Sequence, residues 1–330
     1  MLNALTIDVE DYFQVSAFEG CVSRECWDSY PLRVEGNTSR ILDILDEFGV
    51  KATFFVLGWI AERKPGLVRE IARRGHEVAS HGYGHQRVYN QTRLEFRDDI
   101  RSSKALLEDL CGAPVHGYRA PSYSISRACL WAYDELLDAG YGYDSSVFPI
   151  NHDLYGIPDW PRHPFAVSKT PNGEWEPVGS YSCLQTADHL SLPCDNVCRQ
   201  MIEIPITTLS IAGKGVPIAG GGYFRLFPYP FTKWGLSRIN RVERRSFVFY
   251  LHPWEIDPGQ PRMSGAGQKS RFRHYLNLHR TEDRFRKLLA DFRFAPISEI
   301  SWFPPISIPI IQGKGCRRPG VGRYVGINSN

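Results

Sequence analysis

The alternation of strand-like and helix-like segments in the first half of the chain most constrains the fold. Strand-like apolar runs lie at residues 3–7, 52–57 and 114–118, and helical patterns lie at 38–48, 65–75, 92–110 and 127–138. Thr92 and Glu95 form a capping-box pattern at the start of the third helix. Because strand–helix–strand connections are right-handed, this order predicts an α/β fold with a parallel sheet and helices outside it.

The second half continues less regularly. Strands are predicted at 202–209, 246–251 and 292–297, with a long charged helix over 269–291. Residues 173–200 are polar and lack periodicity, which indicates a surface insertion. Residues 304–330 are rich in Pro and Gly and basic, which is typical of a loosely held tail. The predicted organisation is one domain over residues 1–303, followed by that tail.

Chemically active side chains follow several of the predicted strands. Asp8, His81, Arg119 and Asp144 lie at or just after strand ends, and His252 follows the apolar run 247–251. In parallel sheets and barrels, functional sites are built at the carboxyl ends of the strands. We therefore expect these side chains to converge on one site.

The pair His81 and His85, together with the acidic cluster Asp8, Glu10 and Asp11, has the composition of a metal site. Two imidazoles four residues apart can bind one cation, and a carboxylate completes a three-ligand set with an open position. Such a site activates water for hydrolysis.

Charge and hydropathy exclude several other classes. The net charge is only +3, and the body of the chain has no long basic block, so neither nucleic acid nor an anionic membrane is an expected partner. No apolar run approaches the ~20 residues that cross a bilayer. Because the first residues show no secretory leader pattern, we expect a cytoplasmic location.

Five segments in order resemble one known family. They are Thr6–Asp11, Ser80–His85, Gly117–Pro121, Tyr143–Ser146 and Tyr250–Glu255. They are similar to the polysaccharide deacetylases of carbohydrate esterase family 4, the NodB-homology group, and to its branch associated with exopolysaccharide and exosortase gene clusters. The resemblance covers residues 3–300. It implies a distorted (β/α) barrel of about seven parallel strands that removes N-acetyl groups from a saccharide with a divalent metal, usually Zn²⁺. Some similar proteins form homo-oligomers.

The resemblance also implies roles for individual residues. Asp8 matches the catalytic base and His252 the general acid, while Arg119 matches the residue that holds the base and Asp144 the one that orients the acid. The metal ligands would be Glu10, His81 and His85, with Asp11 as the alternative carboxylate. Strand alternation agrees with Glu10, because residues i and i+2 share a face.

Substrate contacts are predicted for Pro121, Tyr123, Tyr223, Arg225 and Trp254. The sequence departs from the family pattern after Pro121, where Ser122 replaces the usual tyrosine and Tyr123 follows one position later.

Two alternative functions stay open at this point. One is hydrolysis of a small cyclic amide or ureide, as in allantoinase-like members of this fold, and the other is non-catalytic carbohydrate binding.

Overall fold

The computed structural model describes residues 1–152, 155–180, 199–300 and 302. Its strands are β1 (Leu2–Val9), β2 (Thr53–Val56), β3 (Glu77–Ser80), β4 (Gly117–Tyr118), β5 (Tyr143–Asp144), β6 (Phe165–Lys169), β7 (Trp175–Ser180), β8 (Gln200–Glu203), β9 (Thr208–Ile211), β10 (Lys214–Pro217), β11 (Val248–Leu251) and β12 (Arg293–Ala295). The α-helices are α1 (Val34–Glu47), α2 (Gly58–Arg63), α3 (Pro65–Arg73), α4 (Arg93–Cys111), α5 (Ala132–Asp138), α6 (Gly221–Leu226), α7 (Tyr229–Arg238), α8 (Gln268–Tyr275) and α9 (Leu278–Asp291).

Seven parallel strands form the centre of the molecule, in the order β11-β1-β2-β3-β4-β5-β8. Beyond β8, the strands β6 and β7 continue the sheet in antiparallel fashion. At the other end, Gly220 bridges Tyr250 of β11, and the Thr207 hydroxyl accepts a hydrogen bond from the Val248 N–H at 2.8 Å. The chain after β8 therefore lies against β11, which curls the sheet toward closure. The prediction of a distorted barrel with about seven parallel strands is confirmed.

The strand β1 shows how the barrel separates its two faces. Leu5, Ile7 and Val9 pack into the apolar layer shared with the surrounding helices. Ala4, from the alternate set, packs in the smaller cluster that also contains residues from β2, β3, β5 and β11. Asp8 has the same parity as Ala4, and side chains alternate along a strand. The carboxylate of Asp8 is therefore placed inside the barrel at the carboxyl end of β1.

Two sequence-based expectations change in the structure. The predicted insertion at 173–200 begins with a paired strand, since β7 is antiparallel to β6. The predicted helix over 269–291 is two helices, because Asn277 adopts a left-handed conformation with φ of 54° between α8 and α9. Because the helical pattern is present on both sides of Asn277, the sequence contains no sign of the break. Residues 181–198 and the predicted tail 304–330 lie outside the described part of the chain.

Among the described residues, none of the helices combines the length and the apolar composition that crossing a membrane requires.

Candidate active site

The buried ion pair between Asp8 and Arg119 lies at the carboxyl ends of β1 and β4. Asp8 Oδ1 accepts a hydrogen bond from Arg119 Nη1 at 2.6 Å, and both side chains are almost completely buried. The same guanidinium donates to the Thr6 hydroxyl and to the carbonyl and hydroxyl oxygens of Ser145. It also lies 4.1 Å from the centre of the Phe55 ring. Arg119 is thus fixed on several sides, and the orientation of the Asp8 carboxylate is fixed with it.

Glu10, His81 and His85 form the candidate metal site. All three side chains are buried, and one possible ligand atom from each lies within 4.8 Å of the others. His85 Nε2 is 2.7 Å from Glu10 Oε2. Burial tends to raise the pKa of Glu10, but the nearby imidazoles of His85 and His252 lower it well below its usual range. Glu10 is therefore ionised at neutral pH, as a carboxylate must be to bind a metal.

Asp11, the alternative ligand, has a structural role instead. Its Oδ2 accepts hydrogen bonds from the backbone N–H groups of Arg33 at 2.7 Å and Val34 at 2.9 Å, which lie at the start of α1. Its Oδ1 accepts from the Tyr12 N–H at 2.8 Å. An acidic group at a helix N-terminus satisfies amides that the helix leaves unpaired. Of the two carboxylates, it is Glu10 that faces the histidines.

His81 has the arrangement expected of a neutral metal-binding imidazole. Its Nδ1 lies 2.8 Å from the Arg119 carbonyl oxygen, so that nitrogen carries the proton and donates it. Burial lowers the pKa of His81 to about 4, which keeps the ring neutral. A backbone partner on one ring nitrogen leaves the other with a lone pair for a metal. The buried Nδ1 of His85 has no hydrogen-bond partner among the described residues. These donors fit a divalent metal ion.

The loop that carries both histidines is held by two residues that the sequence analysis did not identify. The Asp99 carboxylate accepts hydrogen bonds from the backbone N–H groups of Tyr83 and Gly84, at 2.8 and 3.2 Å. Arg24 donates to the carbonyl oxygens of Gly84 and His85, at 2.8 and 2.9 Å. Both residues contact the loop through its backbone, which has no residue-specific signature in the sequence.

Replacing Gly82 by Ala should weaken metal binding. Gly82 has φ of +72°, and a Cβ there would lie 2.7 Å from Asp99 Oδ2. An alanine in the left-handed region costs about 1 kcal/mol or more, and the clash would displace the carboxylate that holds the loop. We expect Gly82→Ala to raise the dissociation constant for Zn²⁺ by about tenfold, measured by competition with a chromogenic chelator.

Gly84→Ala is the matched control, because an added Cβ at Gly84 meets no atom within 4 Å. Its metal affinity should stay within about twofold of the wild type, because Gly84 is partly exposed and substitutions at the surface without special geometry change energies by only ~0.5 kcal/mol. Equal affinities for the two variants would show that the loop conformation does not control the site.

His252 lies beside both carboxylates of the site. Its Nε2 is 3.8 Å from Asp8 Oδ2 and 3.6 Å from Glu10 Oε1. Burial tends to lower the pKa of His252, but the carboxylates of Glu10 and Glu255 raise it to about 9. At neutral pH the ring is therefore a cation that can donate a proton.

Glu255, and not Asp144, is the residue that orients His252. Glu255 Oε2 lies 3.4 Å from the ring nitrogen Nδ1 of His252. The same oxygen accepts a hydrogen bond from the backbone N–H of His252 at 3.2 Å. Arg225 Nε donates to the other oxygen of Glu255 at 2.9 Å. The sequence contained a signal for this contact, because a Glu three residues after His252, with Pro253 between them, is a capping-box spacing.

The predicted orienting role of Asp144 is wrong, because its carboxylate makes no ion pair with His252. It accepts a hydrogen bond from the Ser146 hydroxyl at 2.5 Å, and that hydroxyl accepts one from the Ala120 N–H at 2.8 Å. Asp144 therefore supports the loop after β4. It lies next to Glu203, its partner across the β5–β8 pair.

Asp144 and Glu203 form a buried pair of carboxyl groups. Burial and the charge of Asp144 raise the pKa of Glu203 well above its usual range. Among the described residues, no donor group hydrogen-bonds to Asp144 Oδ2. A protonated Glu203 carboxyl group can therefore be the donor to this oxygen. Two carboxylates in contact inside a protein cannot both ionise without large cost. The folded protein therefore holds a proton here that the unfolded chain would release above pH ~4.3.

This proton gives stability a pH dependence of known sign. The stabilisation from the protonated pair is complete below the pKa that Glu203 has in the unfolded chain. It is lost as the pH rises through the higher pKa that Glu203 has in the folded protein. Between pH 5 and 8, the free energy of unfolding of the wild type should therefore fall relative to Glu203→Gln, which keeps the acceptor for Val147 and cannot ionise. The slope is at most about 1.4 kcal/mol per pH unit. Urea denaturation at several pH values measures it. The exposed Glu174→Gln is the control, and identical pH profiles for all three proteins would contradict the shared proton.

The predicted substrate-binding residues take different places. Pro121 and Tyr123 are buried in the turn after Arg119, where Ser122 and Tyr123 both have φ of 55°. The Tyr123 hydroxyl has no partner among the described residues. Tyr223 is half-buried and lines a cavity beside the site. The contacts of Pro121, Tyr123 and Tyr223 with substrate stay predictions.

The side chains of Arg225 and Trp254 form hydrogen bonds with other residues of the protein. Besides binding Glu255, Arg225 donates through Nη1 to the backbone carbonyls of Arg273, His274 and Leu276. Trp254 is only 5% exposed, and its ring packs against His252 and His274. Its indole N–H donates to Glu10 Oε1 at 3.1 Å. A face buried in this way is not available for stacking on a sugar, so Trp254 instead positions the predicted metal ligand.

Comparison with known proteins finds similarity to polysaccharide deacetylases in part of the chain. The polysaccharide deacetylase family profile matches residues 25–139, and a domain of unknown function, DUF3473, matches residues 179–301. A peptidoglycan-N-acetylglucosamine deacetylase of Bacillus cereus is 36% identical over 99 residues, which are 30% of this chain and 36% of that protein. A peptidoglycan deacetylase of Helicobacter pylori is 32% identical over 108 residues, which are 33% of this chain and 36% of that protein. The chain thus spans little more than a third of the length of these relatives.

One solved structure has a similar fold along most of the chain. It is described as a polysaccharide deacetylase from Mycobacterium smegmatis, with a TM-score of 0.51 and 21% sequence identity, and the match covers 90% of this chain and 87% of that chain. The family match, the relatives and the parallel barrel agree with the five ordered segments of the sequence. Residues 25–139 are therefore similar to the polysaccharide deacetylases, and the relatives and the fold support a protein of the carbohydrate esterase family 4, NodB-homology type.

Proposed function

We propose that this protein hydrolyses the N-acetyl group of an acetamido sugar in a poly- or oligosaccharide, with the help of a divalent metal ion. The observation that carries the proposal is the convergence of three groups at one end of the barrel. Asp8 is paired with Arg119, the cluster Glu10, His81 and His85 could hold a metal, and His252 lies within 4 Å of Asp8 and Glu10.

An acetamide resists hydrolysis because its carbonyl is a weak electrophile and its amine is a poor leaving group. A divalent metal at the cluster would act as a Lewis acid, polarising the carbonyl and lowering the pKa of water. The chain supplies the proton transfers. Asp8, held in place by Arg119, would take a proton from the attacking water, and His252, held by Glu255, would give one to the departing nitrogen.

The wall beside the site favours a sugar over a small cyclic amide. Tyr223, Tyr250 and Phe272 line an adjoining cavity, and aromatic faces pack well against sugar rings. We propose in addition that the saccharide belongs to an exopolysaccharide, which the resemblance of the five segments to that branch supports.

Acetate release from acetylated glucosamine oligomers by the zinc-loaded protein tests the proposal. We expect release that stops when a chelator removes the metal and resumes when Zn²⁺ is restored. Absence of release from a range of neutral and acidic acetamido saccharides, by a protein that binds metal, would reject it in favour of a non-catalytic role.

A further inference from the structure

A cavity of about 510 Å³ adjoins the candidate active site. Trp254 and Tyr250 form the wall between the two: Trp254 donates to Glu10, and the Tyr250 ring centre lies 5.7 Å from that of His252. On the other side the cavity is bounded by residues of α6 and α8. A group bound here would therefore lie next to a sugar whose acetamide is at the metal cluster.

The lining of the cavity combines aromatic rings with positive charge. Tyr155, Tyr223 and Phe272 provide rings, and Lys269 and Arg273 bring two cations from α8. No Asp or Glu occurs among the described residues that line it. The charge of Arg225, which also lines the cavity, is balanced by its ion pair with Glu255. The unbalanced charge of the cavity is thus positive.

Lys269 and Arg273 are available for a ligand. Both side chains are exposed, and within the described part of the chain neither forms an ion pair or a side-chain hydrogen bond. Phe272, between them in the helix sequence, is 61% exposed although it is large and apolar. Exposed aromatic surface beside unpaired cations matches a ligand that is both ring-shaped and anionic. A neutral sugar would form no ion pair with either cation.

We propose that this cavity binds an anionic group, a carboxylate or a phosphate, attached next to the acetamido sugar of the substrate. The inference rests on the proposed function and narrows its substrate to acidic saccharides or phosphate-linked sugars. Lys269 and Arg273 bind the anion, and Tyr223 and Phe272 pack against the attached ring.

The double variant Lys269→Gln/Arg273→Gln tests the role of the two charges. Three substrates are compared: a neutral acetylated glucosamine oligomer, an oligosaccharide that alternates acetylated glucosamine with glucuronate, and UDP-N-acetylglucosamine. We expect the wild type to prefer at least one anionic substrate, and the double variant to lose about tenfold or more in kcat/KM for it, mainly through KM. The value for the neutral oligomer should change less than about twofold. The responding substrate identifies the anion as carboxylate or phosphate.

Arg271→Gln is the matched control. Arg271 is exposed on the same helix but does not line the cavity, so this variant removes a similar charge without removing a contact. If Arg271→Gln lost as much kcat/KM for the anionic substrate as the double variant, the effect would come only from long-range electrostatic attraction. That result would overturn the proposal.

Binding without turnover separates this inference from the proposed function. Calorimetric titration with a glucuronate oligomer and with UDP, neither of which carries an acetyl group, should show binding of at least one that the double variant loses. Binding of neither ligand by the wild type would overturn the inference, even if neutral oligomers are deacetylated. Binding without deacetylation of any substrate would reject the proposed function and leave the anion site in place.

Discussion

Replacing Asp8 by Asn should reduce turnover by about 10²–10⁴-fold, the usual contribution of a positioned general base. An amide cannot accept the proton of water at neutral pH, but its oxygen can still accept the hydrogen bond from Arg119 Nη1. The fold and the metal content should therefore be retained. Acetate release, metal analysis and urea denaturation on the same preparation measure the turnover, the metal content and the stability of the fold.

Asp8→Ala separates loss of the base from loss of the hydrogen bond to Arg119. Arg119 is completely buried, and without Asp8 no carboxylate among the described residues pairs with its charge. Removing one partner of a buried ion pair costs about 3–5 kcal/mol. Both variants lose the counter-charge of Arg119, but we expect the alanine variant to be the more destabilised, because Asn keeps a hydrogen-bond acceptor for Arg119 Nη1. Turnover of Asp8→Asn near the wild-type rate would reject Asp8 as the base.

Replacing His81 or His85 by Gln should remove the metal and, with it, turnover. Each histidine supplies one of three possible ligand atoms, and both are buried, so no exposed side chain can take their place without rearrangement. Loss of a ligand should weaken binding by more than about 100-fold, since even indirect partners of ligands contribute 10–100-fold. Plasma mass spectrometry of the purified proteins measures bound metal and also identifies it.

Thermal unfolding gives a second readout of the same prediction. A ligand present at 1,000 times its dissociation constant stabilises the folded state by about 4 kcal/mol. The wild type should therefore melt at a higher temperature with Zn²⁺ than with a chelator, and the two histidine variants should show no difference. His116→Gln is the control, because His116 is partly buried but lies outside the cluster. Full metal occupancy in His81→Gln would show that the cation is held elsewhere.

The sequence pattern was sufficient to predict a parallel sheet with helices outside it, and the resemblance of the five segments implied that the sheet forms a barrel. Apolar strands such as β1 and β2 alternate with amphipathic helices, and their order restricts the topology because crossovers are right-handed. The position of the site followed as well, since the carboxyl ends of parallel strands share one edge. Asp8, His81, Arg119 and His252 therefore did converge as predicted.

Only the tertiary structure decided between side chains of similar chemistry. Glu10 and Asp11 are both acidic, but the chain direction after β1 turns Glu10 toward the histidines and Asp11 toward the start of α1. Asp144 was predicted to orient His252, but packing places Asp144 against Glu203, and Glu255 lies beside the histidine instead. Periodicity determines which elements form and which face is buried. The partner of each buried polar group depends on distances across elements that are remote in sequence, and these are fixed only when the barrel packs.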